Sequence, residues 1–308
     1  MIRMTQLTKE TILYIKENET GTPYYKTTPK QARASRLVPK WQSVLKPTLA
    51  SIEDQKIIVR DGANISIRIY KPISEKDLPV IVYYHGGGWV YGDLDSADAG
   101  CQLLAAKAQA IVVSVDYRLA PEFPFPTPVH DAYDALLWVH ENAASFNGDP
   151  SRLIVAGDSA GGNLATVVTH LAKQKHGPSI TAQALIYPVT NIDFTTASYK
   201  KYGAHFGLDT QGMEWFVGHY LNGENPTNPL ISPLLAEDFT HLPKTLLLAA
   251  EADVLFDEGV SYAQKLAHAG VEVKHVVMPG LIHSYFSKMT YFEKATIETV
   301  EKIAAFIK

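Results

Sequence analysis

Short apolar runs alternate with segments of helical period along most of the chain after Ile52. Eight runs rich in β-branched residues predict strands, at 55–60, 65–70, 80–84, 110–116, 153–156, 182–187, 245–250 and 271–278. Several are apolar at every position, which is typical of strands covered on both faces. Five segments with apolar residues every three or four positions predict helices, at 97–109, 129–145, 162–176, 258–269 and 292–308.

The order of these elements predicts an α/β protein. Asp61-Gly62-Ala63-Asn64 has the composition of a hairpin turn and joins the first two predicted strands, so the sheet should begin antiparallel. Strands and helices alternate afterwards, as in consecutive βαβ units. The pattern therefore predicts a doubly wound, eight-stranded and mostly parallel sheet with helices on both faces.

Two segments depart from this alternation and predict a helical cap in two parts. The first is 1–50, in which Thr28-Pro29 begins a helix expected to run to Arg36, with Pro39 closing it. The second is 191–242, far longer than a crossover needs and rich in aromatic residues. Residues 51–190 and 243–308 then form the core domain.

The first of these segments is also basic. No acidic residue lies between Glu19 and Glu53, whereas six basic residues do: Lys26, Lys30, Arg33, Arg36, Lys40 and Lys46. A solvated helical face packed on the core explains this charge. The alternative is a lid that meets an anionic ligand.

Composition narrows the class of protein. The formal net charge is −4, which argues against nucleic acid as the main partner. A single cysteine, Cys101, cannot form an internal disulfide or a cysteine metal centre, and its helical pattern predicts a buried small residue. No apolar stretch is long enough for a membrane span or a signal-peptide core. We therefore expect a cytoplasmic protein without a cysteine metal centre.

The stretch Gly157-Asp158-Ser159-Ala160-Gly161 is the most informative motif. It follows an apolar strand and a predicted helix follows it, which is the context that the G-x-S-x-G nucleophile turn requires. The turn should expose Ser159 at the N-terminus of that helix. There the helix dipole and the Ala160 N–H can stabilise an oxyanion.

A glycine-rich loop, His85-Gly86-Gly87-Gly88-Trp89, follows the third strand. It fails the dinucleotide fingerprint because position 91 is tyrosine, and no Gly-Lys-Ser/Thr of a phosphate-binding loop follows. A plain glycine turn is one alternative. We favour a loop whose N–H groups complete an oxyanion hole, with His85 holding the loop by hydrogen bonds.

A serine nucleophile needs a base and an orienting carboxylate, in the chain order Ser, Asp/Glu, His for this architecture. Of the eight histidines after Ser159, only His283 lies in the loop after the last predicted strand, where catalytic groups collect. The loop after the preceding strand supplies Asp253. Its neighbour Asp257 is expected to cap the next helix and to complement the dipole of that helix, and Glu251 is expected to need a partner of its own.

The sequence resembles the hormone-sensitive-lipase-like (bacterial family IV) esterases of the α/β-hydrolase superfamily. The matching pieces are spread over most of the chain in family order: His85-Gly-Gly-Gly-Trp89, Asp116-Tyr-Arg-Leu-Ala-Pro-Glu122, Gly157-Asp-Ser-Ala-Gly-Gly162, Glu251-Ala-Asp253 with Asp257-Glu-Gly259, and His283. In the 116–122 motif we expect Arg118 and Glu122 to pair and brace the loop. The chain departs from the family at Val254, where proline is common, and at Ser284-Tyr285, where Gly-Phe is common.

The resemblance implies the α/β-hydrolase fold, no cofactor, a Ser159–Asp253–His283 triad, and an oxyanion hole from the N–H groups of Gly87, Gly88 and Ala160. It implies a carboxylesterase for small short-chain esters. With the charge and the apolar pattern described above, we expect no nucleic-acid or membrane partner. Family members are often dimers, so a homodimer is an expectation. Candidate pocket residues are Trp89, Phe206, Trp215 and Ile282.

Two alternatives stay open from the sequence. One is an amide hydrolase on the same triad. The other is a binding protein on an inactive hydrolase fold, like the gibberellin receptor, which resembles this family but lacks the triad histidine. The presence of all three triad residues argues against the second alternative.

Overall fold

The computed structural model describes residues 7–18, 21–35, 46–74 and 77–308. Its strands are β1 Ser51–Ile58, β2 Asn64–Lys71, β3 Leu78–Tyr84, β4 Ile111–Asp116, β5 Gly148–Asp158, β6 Ile180–Ile186, β7 Lys244–Ala252 and β8 Val273–Ile282. Its α-helices are α1 Lys9–Asn18, α2 Pro29–Ser35, α3 Leu94–Ala108, α4 Thr127–Asn142, α5 Ala160–Gln174, α6 Ala197–Tyr202, α7 Thr210–Leu221, α8 Phe256–His268 and α9 Met289–Ile307.

The eight strands form one sheet in the order β1-β2-β4-β3-β5-β6-β7-β8. Strand β2 is antiparallel to both of its neighbours, and β4 to β8 are joined by parallel pairs. The predicted antiparallel start and parallel continuation are therefore confirmed. In β3, five consecutive residues, Val80 to Tyr84, are buried. Because successive side chains point to opposite faces, both faces of the sheet are covered there.

Strand register decides which loops meet. Strands β3 and β5 are neighbours, with Tyr84 opposite Gly157, so the loops after them start side by side. The chain leaves β3 toward β4 on one side and returns to β5 on the other, which creates a crevice at their carboxyl ends. Strands β7 and β8 pair Ala252 with Ile282. The residues that follow, Asp253 and His283, therefore begin adjacent loops.

Element boundaries differ from prediction where polar residues continue a strand or begin a helix. Strand β5 starts at Gly148, five residues before the predicted start at 153. The prediction missed these residues because most of them are polar and at least partly exposed, so they do not belong to the apolar run. Helix α3 begins at Leu94, since Asp93 accepts a hydrogen bond from the Ser96 N–H in a capping box. Strand β8 continues to Ile282, beyond the predicted end at 278, after a register shift against β7.

The two segments predicted to form the cap contain α1 and α2 in the first and α6 and α7 in the second. Helix α2 begins at Pro29 as predicted and is described to Ser35; Arg36, Pro39 and Lys40 lie outside the described residues. Cys101 is buried on α3, as predicted. Among the described residues, no helix combines the length and apolarity that crossing a bilayer would need.

Candidate active site

Ser159 lies at the sharp turn between β5 and α5. Its backbone has φ 56° and ψ −119°, a positive-φ conformation that non-glycine residues rarely adopt. Glycine is required on both sides of Ser159 because neighbouring backbone atoms lie too close for a side chain. A Cβ on Gly157 would collide with the carbonyl of Gly161, and a Cβ on Gly161 would collide with the carbonyl of Tyr84. The turn thus packs against the carboxyl end of β3.

The structure brings Ser159, His283 and Asp253 into one hydrogen-bonded chain. Ser159 Oγ lies 2.8 Å from His283 Nε2, and His283 Nδ1 lies 2.7 Å from Asp253 Oδ2. The second carboxylate oxygen, Oδ1, accepts from the Leu255 N–H at 3.0 Å. A carboxylate only accepts, so the proton sits on Nδ1 and leaves Nε2 free to accept from the serine hydroxyl.

The other carboxylates near Asp253 have different partners. Glu251 accepts a hydrogen bond from the Gly280 N–H at 2.7 Å. This is the separate partner that the sequence led us to expect for Glu251. Asp257 accepts from the Ser198 N–H at 2.7 Å. Asp257 lies in the first turn of α8, as dipole complementarity requires. The prediction that it caps its own helix is wrong, because its carboxylate binds the first turn of α6. The Asp257 side chain points from α8 toward α6.

The glycine loop after β3 follows a backbone path that requires its glycines. Gly87 and Gly88 have φ of 119° and 59°. A Cβ on Gly87 would collide with the Tyr91 carbonyl, and one on Gly88 with the ring of Phe216 on α7. Within the described part of the chain, the N–H groups of Gly87, Gly88 and Ala160 donate to no acceptor. Such unpaired donors beside a serine can stabilise developing negative charge.

His85, the first residue of this loop, makes its contacts with the loop and with Tyr117. Its Nδ1 lies 2.7 Å from the Gly86 carbonyl oxygen, and its ring stacks on Tyr117 with centroids 4.3 Å apart. The Tyr117 hydroxyl in turn donates to the carbonyl of His85 at 2.7 Å. The imidazole therefore lies away from the serine–histidine chain and holds the start of the loop.

Sequence reasoning missed the role of Asp158. Its Oδ1 accepts from the Tyr83 hydroxyl at 2.7 Å and from the Gly86 N–H at 2.9 Å, so it joins the serine turn to the glycine loop. Burial raises the pKa of this carboxyl, although these two donors oppose the shift. The signal was present in the sequence, because an acid at the end of the apolar strand before Ser159 has to find partners inside the protein.

The candidate pocket residues lie around the site with different exposures. Trp89 has no exposed surface: its ring stacks on Tyr220 with centroids 4.1 Å apart, so it joins the glycine loop to α7 rather than facing open space. Ile282 is also fully buried, at the end of β8. Phe206 is almost fully buried, and Trp215 is partly buried beside Tyr24. A substrate-binding role for these residues stays a prediction.

The predicted pairing of Arg118 with Glu122 is wrong. Arg118 binds Asp131 of α4 through Nε and Nη2, at 2.9 and 2.7 Å, and Asp61 through Nη1 at 2.8 Å. Glu122 instead forms a two-pronged pair with Arg33 of α2, at 2.7 and 2.9 Å. The buried carboxylate of Asp131 attracts Arg118 more strongly than an exposed glutamate can.

Arg33, one of the residues of the basic N-terminal segment, binds the core through backbone carbonyls. Its guanidinium donates to the Val90 and Ala120 carbonyls, each at 2.8 Å, besides pairing with Glu122. This cation therefore docks α2 on the core, which agrees with the packed-face interpretation of the segment. In the described ranges, no group of three or more His, Cys, Asp or Glu side chains could hold a metal ion.

Comparisons with known proteins identify the family of this chain. The family model described as the alpha/beta hydrolase fold matches residues 81–287, which include both glycine motifs and the serine–histidine–aspartate chain. That match covers more than half of the chain. The chain belongs to this family.

Among curated proteins, the chain is 40% identical over 258 residues to a carboxylesterase, NlhH, of Mycobacterium tuberculosis, covering 82% of this chain and 81% of that protein. It is 39% identical over 249 residues to an ethyl acetate hydrolase of Pseudomonas putida, covering 79% and 78%. Among solved structures, a thermostable esterase from Pseudomonas putida superposes with a TM-score of 0.89 at 34% identity, covering 98% of each chain.

Proposed function

We propose that this protein hydrolyses short-chain carboxylic esters through a Ser159–His283–Asp253 triad and an acyl-enzyme intermediate. The enzyme class is that of a carboxylesterase, in keeping with the relatives named as esterases. The triad, the intermediate and the acyl preference are the proposal. The observation that carries it is the continuous hydrogen-bonded chain from the serine hydroxyl to a buried carboxylate.

In this mechanism Ser159 Oγ attacks the ester carbonyl carbon while His283 Nε2 takes the hydroxyl proton. Asp253 holds the imidazole in the tautomer that can accept this proton and stabilises the imidazolium that forms. The imidazolium then returns the proton to the leaving alcohol, and the acyl group stays on Ser159. Water activated by His283 releases the acid and restores the serine.

The tetrahedral intermediates carry an oxyanion, and the N–H groups of Gly87, Gly88 and Ala160 are the proposed donors. The three groups have no acceptor among the described residues. For the buried residues Gly88 and Ala160 this supports the role, because buried amide groups are almost always paired. Ala160 opens α5, so its N–H also lies at the positive end of a helix dipole. Asp158 and His85 would hold the glycine loop in register with the serine.

The proposed preference for short acyl chains rests on how closely aromatic residues cover the site. Phe216 of α7 packs directly on Gly88 of the glycine loop. Tyr24 lies over the same place, with its ring 4.8 Å from Phe216 and its hydroxyl 2.9 Å from that of Tyr91. We propose that residues 1–50 and 191–242 act as a two-part cap, since Tyr24 and Phe216 come one from each segment.

Loss of the serine hydroxyl tests the proposal. Ser159→Ala should abolish hydrolysis of 4-nitrophenyl acetate while the melting temperature stays within a few degrees of the wild type. A serine-directed organophosphate should label the wild-type protein at Ser159, located by peptide mass spectrometry. Ser145→Ala, which removes an exposed hydroxyl that donates to the Asn142 carbonyl, is the matched control and should keep full activity. Inactivation with the label on another residue would contradict the assignment.

A further inference from the structure

The loop that carries Asp253 is held from outside the core by helix α6. Asp253 lies between the end of β7 and the start of α8. The carbonyl of the next residue, Val254, points toward α6. Ser198 in the first turn of α6 donates its hydroxyl to that carbonyl at 2.6 Å. This bond is buried, so it is not exchanged for water in the folded protein.

Ser198 is fixed on the other side by Asp257. Its N–H donates to Asp257 Oδ2 at 2.7 Å, and its Oγ lies 3.4 Å from the Asp257 N–H. Ser198 is 3% exposed, which leaves its hydroxyl few other partners. One side chain therefore contacts both ends of the stretch from Val254 to Asp257, the residues directly after the carboxylate that binds His283.

The neighbouring acid holds the start of the same mid-chain segment. Glu258 Oε1 accepts from the N–H groups of Thr190 and Asn191, at 2.7 and 3.1 Å. Burial raises the pKa of Glu258 well above its ordinary value, although the two amides oppose the shift. Two consecutive acids of α8 thus clamp residues 190–198 against the loop of Asp253.

We propose that Ser198 is a positioning residue for Asp253, so that docking of α6 and correct placement of the triad carboxylate are coupled. Its hydroxyl holds Val254 and thereby the backbone from which the Asp253 side chain extends. The inference rests on the proposed function, since it assigns Asp253 to the triad. It goes further by making residues outside the core domain part of the arrangement that keeps the carboxylate in contact with His283.

Ser198→Ala is the direct test. Removing the hydroxyl leaves the Val254 carbonyl without its donor and frees the loop to move, and misplacement by about 1 Å can lower a rate by about a hundredfold. We expect kcat for 4-nitrophenyl acetate to fall on the order of tenfold, with KM within about twofold, because the acid acts on the transition state and not on substrate binding. The far-downfield proton NMR resonance of the His283–Asp253 hydrogen bond should broaden or shift.

Ser261→Ala is the matched control. Ser261 also donates its hydroxyl to a carbonyl of α8, that of Asp257, at 2.8 Å, but it does not touch the loop of Asp253. It should keep kcat and the NMR resonance of the wild type. All rates are measured at a temperature at which circular dichroism shows each variant folded. A kcat for Ser198→Ala equal to that of Ser261→Ala, with an unchanged resonance, would overturn the proposal.

Thr196→Ala keeps the test decisive if Ser198→Ala does not fold. Thr196 caps α6 and its hydroxyl lies 3.0 Å from that of Ser198, so its loss loosens the same turn while the serine remains. A several-fold fall in kcat at constant KM supports the coupling, and wild-type kinetics overturn it. Absence of esterase activity in the wild type and in Ser261→Ala would instead refute the proposed function itself.

Discussion

Replacing Asp253 by asparagine tests the proposed triad, because it should change which nitrogen of His283 carries the proton. The carboxylate now accepts two hydrogen bonds, from His283 Nδ1 at 2.7 Å and from the Leu255 N–H at 3.0 Å. An asparagine side chain has one accepting oxygen and one donating NH₂ group. Because the Leu255 amide can only donate, it retains the oxygen, and the NH₂ group turns to His283. The imidazole must then accept at Nδ1 and carry its proton on Nε2, which faces Ser159.

This tautomer cannot take the serine proton, so kcat should fall steeply. We expect Asp253→Asn to lower kcat by about 10³–10⁴, the range typical of a triad locked in the wrong tautomer. That fall corresponds to about 4–5.5 kcal/mol of lost transition-state stabilisation. The fold should persist, since asparagine has the shape of aspartate, keeps the hydrogen bond from the Leu255 N–H and donates in place of accepting at His283.

The assay is steady-state hydrolysis of a small aryl ester, with Asp257→Asn as the matched variant. Asparagine at 257 keeps an oxygen for the Ser198 N–H, so this variant should lose at most about 1 kcal/mol of stability, with a modest kinetic change. An inactive Asp257 variant together with near-normal turnover in the Asp253 variant would refute the assignment of the acid.

Three further expectations concern specificity, acid stability and a buried ion pair. In a series of 4-nitrophenyl esters kcat/KM should be highest between acetate and hexanoate; a maximum at decanoate or longer would contradict a small pocket. Burial lowers the pKa of His170 to about 4 from its ordinary 6.5, so the unfolded chain binds a proton that the folded chain does not as the pH falls through this window. At about 1.4 kcal/mol per pH unit, the free energy of unfolding should fall by about 3 kcal/mol from this residue, and His170→Gln should remove that part in pH-dependent denaturation; equal slopes for both proteins would refute it. Asp131→Ala should lower the free energy of unfolding by about 3–5 kcal/mol, because Arg118 would stay largely buried without its partner; a loss below about 1 kcal/mol in urea denaturation would show that Asp61 suffices.

The sheet and the serine–histidine–aspartate chain could be predicted because they depend on local signals. A strand buried on both faces is apolar at every position, and a nucleophile turn needs glycines at fixed spacing. His283 and Asp253 could be selected because parallel strands collect their carboxyl ends at one edge of the sheet. The pairing of Ala252 with Ile282, which sets the two loops side by side, is the structural counterpart of that rule.

The partners of charged side chains could not be predicted, because they depend on which helices lie together. Nothing near Glu122 in the sequence indicates that Arg33 reaches it from 89 residues away. In the same way, Asp257 has the position of a helix cap but binds α6. Helices α6 and α7 were also not delimited. Helix α6 has only six residues, too few to show a period. The buried residues Met213, Phe216, Val217 and Tyr220 of α7 do recur at helical spacing, so that helix could have been found.

The strained positive-φ turn at Ser159 is held by hydrogen bonds that do not involve its hydroxyl. A non-glycine residue in such a conformation costs on the order of 1–3 kcal/mol and persists only where its surroundings hold it. Here the Ser159 N–H donates to the Ile186 carbonyl at 2.9 Å, and its own carbonyl accepts from Asn163 and Val189 at 3.0 and 3.2 Å. The Asn163 side chain donates to the carbonyls of Val189 and Ile231, which ties the turn to the mid-chain segment. None of these bonds uses the Ser159 hydroxyl. Loss of activity in an alanine variant therefore reports on the missing oxygen and not on a collapsed turn.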